Sequence, residues 1–456
     1  MCKNAADVRW DNMMIWLRSH GAKTTDFAVE CRKTPSSGYG LFAGRSCLPG
    51  KLLFSIPAKA MMNVMTLKPH YPSETVEALT GIQLVCMHLF LWRPRGDSED
   101  SEDPLFGPYI STLPREFDGH PLTWIVQSKH QNTTCQDDHP LRWLPPSVLS
   151  ALDRLHCRFT DDWYKVHSVM IQPPMSAKVK ERTADVNNVK AMMDFLWAWL
   201  NVNTRCIYYR LKFSKSDSDN FTLCPVLDFA NHSSHMSNMR TGPTNADIWN
   251  SAPVLSIGEG LRFFACDDTR IREDDEIMLA YGRHANKTLF VEYGFVDGLQ
   301  EVGTRVCGEV DVQDILEESI YLDQRRSCAI KDLLVAEGYW GDFVLFSTQD
   351  SAQVSWPLIA ALRLHHLMGT ATGIGNDVQL WQDVIAGRRE RISDDNERSC
   401  RESLLHVCEI VIGRAQRVLE MITGQSLEQQ YVRSLWVEEL FVARATKESI
   451  YAGDAF

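Results

Sequence analysis

The first apolar positions fall at helical spacing: Val8, Met13, Trp16 and Leu17 share one face of VRWDNMMIWLRSHGA, and Gly21 follows as a stop. The pattern then changes. In TPSSGYGLFAGRSCLPGKLLFSIPAKAMMN, Leu41-Phe42-Ala43 and the run from Lys51 to Ile56 read as short strands, with Pro49-Gly50 as the turn between them. Pro57 ends the second, because proline cannot donate to a central ladder. Two strands joined so tightly predict a small, curved β unit. Residues 74–92 return to helical spacing, whereas the acidic run SEDSEDP, ending at Pro104, reads as an exposed loop. PYISTLPREFDGHPLTW is expected to be irregular but packed, and QNTTCQDDHP to be a surface loop. Helices follow at 147–168 and 187–203, the second strongly apolar through MMDFLWAWLNV. They lie between two sets of short strands, like an insertion in a β-rich domain.

Short strands resume between Cys224 and Glu276, in CPVLDFANHS, IWNSAPVLSI, LRFFACDD and DEIMLAYG. Residues 286–293 give one or two helical turns ending at Gly294. From about residue 311 almost every segment has helical spacing, among them VQDILEESIYLDQRR and LLHVCEIVIGRAQRVLEMI, so a boundary is expected at 300–310. There is no internal repeat and no heptad run.

At 456 residues the chain exceeds the size at which one core stops growing, so two or three units are expected. A net charge of -12 argues against unselective nucleic-acid binding, which needs Lys and Arg on phosphates, and favours a basic protein partner. The thirteen cysteines form no CxxC pair, so no structural zinc or other metal is expected. No apolar run is long enough for a membrane span, and MCKNAADVRWDN does not read as a signal peptide. Reduced thiols in a cytoplasmic or nuclear protein are the expectation.

Four separated stretches carry candidate chemistry. In SSGYGLFA, Gly38 and Gly40 let backbone approach a bound molecule or take positive φ, unless the stretch is a plain turn. The third glycine and long helix of a dinucleotide fingerprint are missing. In VNTRCIYY, Arg205 can clamp a carboxylate or simply end a helix. In CPVLDFANHSSHMSN, Pro225, Asp228, Asn231 and His232 are polar or constrained positions in an apolar setting; Asn and His can bind an adenine or order a loop. Asp228, His232 and His235 resemble a metal cluster only loosely, because no HExxH-like helical pair is present. In DDEIMLAYGRHANKTLFVEYGFV, Tyr281 and Tyr293 each precede a glycine and mark either a pocket or a core.

Taken in order, GYGLFA, GKLLFSIP, FGPYISTLP, NTR, PVLDFANHS, DDEIMLAYG and NKTLFVEYGFV resemble the SET-domain methyltransferases. The similar branch includes the Rubisco large-subunit methyltransferase, fungal ribosomal-protein lysine methyltransferases and the actin-histidine methyltransferase. The resemblance implies an α+β fold: a SET domain over 1–300 with short sheets around a knot-like segment and a helical insertion at about 70–200, then an all-α substrate-binding domain over 310–456. It implies S-adenosylmethionine as cofactor and a protein lysine as acceptor. Ser37, Gly38, Tyr39, Arg205, Asn231, His232, Tyr281 and Phe295 would contact the cofactor, and Arg205, Asp228, Tyr281 and Tyr293 the substrate. Tyr281 and Tyr293 would be the catalytic residues, with Phe295 completing an aromatic wall. Thr204-Arg205 stands where the family commonly has Ser-Arg, and the Cys-rich zinc modules of many histone methyltransferases are absent. A histidine acceptor in the same fold, or a catalytically silent protein-binding module, remain open readings.

Overall fold

The computed structural model describes residues 5–34, 38–94, 100–130, 139–172, 189–242 without 213, 215, 218 and 235, and 260–453 without 283, 299, 303–304, 321–323, 349 and 371–373. Two compact units are present. One comprises Met1–Thr133 and Leu155–His284, the other Thr134–Arg154 and Ala285–Phe456. The later division falls at His284/Ala285, ahead of the expected 300–310.

The first unit is built on short strands: β1 (Val29–Thr34), β2 (Gly38–Ala43), β3 (Leu52–Ile56), β4 (Ile207–Tyr208), β5 (Phe221–Thr222), β6 (Asn231–His232), β7 (Met239–Gly242), β8 (Leu261–Ala265) and β9 (Met278–Leu279). β1 and β2 form an antiparallel ribbon, with Val29 opposite Ala43 and Thr34 opposite Gly38. The sequence pattern misses β1 because Glu30, Cys31, Arg32 and Lys33 hide its buried ends. β3 pairs with β8 rather than with β2, in a three-stranded sheet ordered β3-β8-β7. Phe54 stacks on Phe263 at 4.5 Å in its core, with Leu41, Leu53, Ile56 and Ala265 fully buried around it. The expected strand IWNSAPVLSI and most of the expected loop QNTTCQDDHP lie outside the described residues.

Helices fill the rest of this unit. The first spans Ala5–Ser19 and seals Met13 and Leu17, but Val8 is 45% exposed, so the buried face is narrower than its apolar spacing predicts. The stretch 74–92 is two helices, Ser73–Ala78 and Gly81–Trp92. Thr80 separates them because its hydroxyl accepts Gln83 N–H while the Gln83 side chain returns to the Thr80 N–H, a capping box that starts a new helix. Between the long helices Phe90 meets Trp163 and Phe195 edge to face, as Phe159 meets Trp199, while Phe195 lies tilted against Phe159 and Trp163. The acidic run is not wholly exposed: Asp103 is buried, accepts from Leu105 and Phe106 N–H, and pairs with His88 at 2.8 Å.

The second unit corrects the all-helical expectation. It carries a four-stranded antiparallel meander of β10 (Gln300–Val302), β11 (Arg305–Asp311), β12 (Val344–Ser347) and β13 (Ala352–Val354). Three of these strands are four residues or shorter, too brief for a two-residue period to stand out. The helices Gln324–Ala336, Trp356–Thr370, Ile374–Ile385, Asp394–Met421 and Leu427–Ala452 complete the unit. Phe343, Leu362, Trp381, Val407 and Val442 are fully buried in its core. Among the described residues no helix is long and apolar enough to cross a membrane.

Candidate active site

Three separated segments meet in the first unit. β6 and β9 run parallel, placing Asn231 beside Met278 and His232 beside Leu279. On the other side of this segment Phe42 of β2 bridges to Glu276. Gly40 is required by this approach. A Cβ there would lie 2.6 Å from Glu276 Oε1, 3.0 Å from Thr34 Cγ2 and 3.1 Å from Asn231 Nδ2. Asn231 Nδ2 in turn donates to Glu276 Oε1 at 2.7 Å. Two residues earlier the environment is the opposite: Gly38 has φ +79° and, among the described residues, nothing within 4 Å on its Cβ side, and Tyr39 is 37% exposed. The ribbon therefore has a clamped inner end and an open outer backbone edge, a cradle suited to a flat ligand held by main-chain groups. Ser37 lies outside the described residues, as does the His235 needed for the metal reading.

His232 and Tyr281 form the next layer. His232 Nδ1 accepts the Tyr281 backbone N–H at 3.1 Å, so the neutral ring carries its proton on Nε2 and donates to Ser234 Oγ at 3.1 Å. Through Nδ1 the imidazole orders the turn after β9, and through Nε2 it bonds the segment after β6. Tyr281 packs its ring 5.0 Å from the His232 ring and donates its hydroxyl to Ala230 O at 2.8 Å. With its hydrogen directed there, the phenol meets an incoming donor through oxygen lone pairs.

Below this layer lies a buried carboxyl. Asp228 sits on the single turn Leu227–Phe229, entered through Val226 at φ 71°, a strained conformation for a β-branched residue. Asp228 Oδ2 accepts from Tyr109 OH at 3.0 Å, while Oδ1 is buried with no hydrogen-bond partner among the described residues. Burial pushes this carboxyl up to about 6, against the opposing pull of Arg205 and the Tyr109 bond. The same burial and the Asp228 charge drive the Tyr109 hydroxyl well above its ordinary range. Arg205 ends the helix Val189–Arg205, donates to Thr204 Oγ1 at 2.6 Å, and lies over the Phe117 ring at 5.7 Å. It is both a helix-end charge and the cation nearest in effect to Asp228.

Tyr109 and Glu276 are the site residues that sequence reasoning passed over. Both stand inside quoted motifs, FGPYISTLP and DDEIMLAYG, which was the available signal. Tyr293 and Phe295 belong to the second unit. There Tyr293 ends a π-helical turn, Leu289–Tyr293, closed by Gly294 at φ 84°, and its ring lies 6.2 Å from that of Phe295. Burial, with Glu292 adding to it, raises the Tyr293 hydroxyl. Among the described residues no group of three or more His, Cys, Asp or Glu is arranged to hold a metal.

No family model matches the chain. Curated relatives do. Human SET domain-containing protein 4 is 23% identical over 96% of this chain and 90% of its own length. Ribosomal lysine N-methyltransferase set11 of Schizosaccharomyces pombe is 25% identical over 73% of this chain and 70% of its own. SET domain-containing protein 4 of Artemia parthenogenetica is 32% identical over 62% of each. The structure described as the SET domain of LSMT bound to lysine and AdoHcy matches with a TM-score of 0.67 at 16% identity, over 99% of this chain and 92% of that one. Rubisco LSMT bound to AdoMet matches at 0.66 and 16% identity, over 99% and 93%. The fold match runs nearly end to end, so the chain has the fold of Rubisco LSMT, and in sequence it is similar to SET domain-containing protein 4 and to the fungal ribosomal lysine methyltransferases.

Proposed function

We propose that this protein transfers a methyl group from S-adenosylmethionine to the side-chain amine of a lysine in another protein. The observation that carries the reading is the meeting of the β2 glycine edge, Asn231-His232 and Tyr281 around Glu276. Gly38, Tyr39 and Asn231 would hold the cofactor, chiefly through backbone, and His232 would support it indirectly by fixing the Tyr281 turn. When bound, S-adenosylmethionine supplies an electrophilic methyl on a positively charged sulfur.

The acceptor must arrive with a free lone pair. Lysine, with a reference pKa of about 10.4, is neutral in only about one amine in 2,500 at pH 7, a cost of roughly 4.6 kcal/mol. Apolar surroundings lower that cost by disfavouring the ammonium. Tyr281 orients the amine as a hydrogen-bond acceptor, since its own hydrogen goes to Ala230 O. Asp228, ionised above about pH 6, would draw the ammonium inward on arrival while opposing its deprotonation, and Arg205 offsets part of that charge. Tyr293 and Phe295 carry the aromatic-wall role that the YGF motif implies.

A basic protein partner is favoured by the net charge of -12, and a ribosomal or translation protein by the names of the fungal relatives. We place the protein in the cytoplasm or nucleus, consistent with the free thiols of the described cysteines. Calorimetry with S-adenosylmethionine tests the cradle; absence of binding would leave only a protein-binding module. Labelled cofactor added to whole-cell extract, with the product mapped by mass spectrometry, tests the acceptor. A methylated lysine is expected, and label confined to histidine would overturn the lysine assignment.

A further inference from the structure

Asn286 opens the helical turn that leads to Tyr293, and all of its amide is in use. Its Nδ2 donates to Gly298 O at 2.7 Å and to Glu438 Oε2 at 2.5 Å, and its Oδ1 accepts Asp297 N–H at 3.0 Å. The first and third of these bonds close the loop after Gly294 back onto the start of the turn, with Tyr293 and Phe295 between the tied ends. Asn286 is 1% exposed and Glu438 3%, so neither has water to fall back on. Glu438 is itself wedged: a Cβ at Gly308 of β11 would lie 2.6 Å from its Cγ. A buried carboxyl held by backbone on one side therefore grips the amide that ties the loop.

We propose that Glu438 is a positioning residue: through Asn286 it holds the turn carrying Tyr293 and Phe295, and it holds that turn more firmly as a carboxylate than as a carboxylic acid. The functional consequence rests on the assignment of those two aromatics to the methyl-transfer site. A bond from an amide N–H to a charged acceptor is roughly twice as strong as one to a neutral acceptor. Burial pushes Glu438 up to about 7; the Asn286 bond opposes this, Glu309 adds to it, and Lys287 opposes it. The titratable groups facing it are thus Glu309 and Lys287, which pair with each other at 3.4 Å, the Cys307 thiol on β11, and its neighbour Glu439 on the same helix. Glu439 is pushed up to about 8, by burial first, and bonds Ser147 rather than Asn286. The switch therefore falls in the neutral range, where Glu439 is held too, and the geometry ties it to the clamp through Glu438, the one of the two that accepts from Asn286.

The test is hydrogen exchange with mass spectrometry on peptides covering 286–298, in the full chain at pH 6 and pH 8.5, corrected for the intrinsic pH dependence of exchange. The wild-type Asp297 amide should be about fivefold more protected at the higher pH, the ratio expected when a neutral bond becomes charge-assisted. Glu438→Gln keeps an acceptor for Asn286 but cannot titrate, and should lose this step. In turnover assays kcat of the wild type should rise with the same midpoint while the KM for cofactor stays flat, and Glu438→Gln should flatten kcat. An equal step in Glu438→Gln overturns the proposal. So does a wild-type amide with no step, which decides the matter even if the variant does not fold. Tyr293→Phe separates the two layers: normal turnover in that variant, with the exchange step intact, would keep the clamp and remove Tyr293 from the site.

Discussion

Asp228→Asn should make the first unit more stable at neutral pH than at acid pH, relative to wild type, while impairing turnover. The carboxyl is raised from 3.8 to about 6, chiefly by burial, so its fold favours the neutral form. A raised acid contributes its full stability below its unfolded pKa and loses it as pH climbs to the folded value. The window here runs from about pH 4 to about pH 6, above which the loss is complete. Two pKa units at about 1.4 kcal/mol each place that loss at about 3 kcal/mol. Asparagine mimics the neutral acid at every pH and still accepts from Tyr109 OH. It also puts an NH2 group where Oδ1 has no hydrogen-bond partner among the described residues, at a cost of about 1–3 kcal/mol. That cost does not change with pH. The decisive quantity is therefore the change in ΔΔG between pH 4.5 and 7.5, not either value alone.

Because the chain has two compact units, a single global melt would mix their transitions. Cys224 is 1% exposed and four positions from Asp228, so it labels only when this region opens. Samples equilibrated in urea at each pH, then jumped to pH 8 for a short thiol-labelling pulse, report the unit's own unfolding through Cys224. The stability difference should shift towards Asp228→Asn by about 2 kcal/mol across the interval, since about a third of the loss is already incurred at about pH 4.5. A difference that stays constant with pH would refute the claim that the wild-type charge is buried at a cost. In parallel, lost turnover in a more stable variant would identify the charge as something kept for function.

Three further outcomes follow from the geometry. Gly40→Ala drives a Cβ to within 2.6 Å of Glu276 Oε1 and must displace the Asn231 bond, so calorimetry should show S-adenosylmethionine affinity about tenfold weaker; unchanged affinity would place the cofactor elsewhere. Tyr281→Phe loses one hydroxyl bond to Ala230 O, about 1 kcal/mol of stability, yet turnover with radiolabelled cofactor should fall at least about tenfold; near-normal turnover removes Tyr281 from the chemistry. Phe263→Ala deletes the stacked partner of Phe54 from a fully buried position and should cost the first unit about 3–5 kcal/mol in the Cys224 labelling assay, with less than about 1 kcal/mol pointing to a core that collapses around the gap.

How far the site could be read from the chain depends on whether a residue's role is local. Gly40 announces itself, because a glycine inside an apolar strand has few uses other than close approach, and the structure supplies the approaching group. That group, Glu276, does not announce itself. In DDE it looks like one more solvated acid before a strand, and it gains a partner only when residues 276–279 are laid between β2 and β6. Tyr109 is further still from view, since the carboxyl it serves lies 119 positions away. The same logic explains β10–β13: a three-residue strand has no period of its own, so its identity resides in the neighbour it pairs with. His232 shows the sharper limit. Its residue type suggests a direct ligand contact, but its ring nitrogens bond the Tyr281 N–H and Ser234 Oγ, so its service to a bound ligand would run through the backbone it orders.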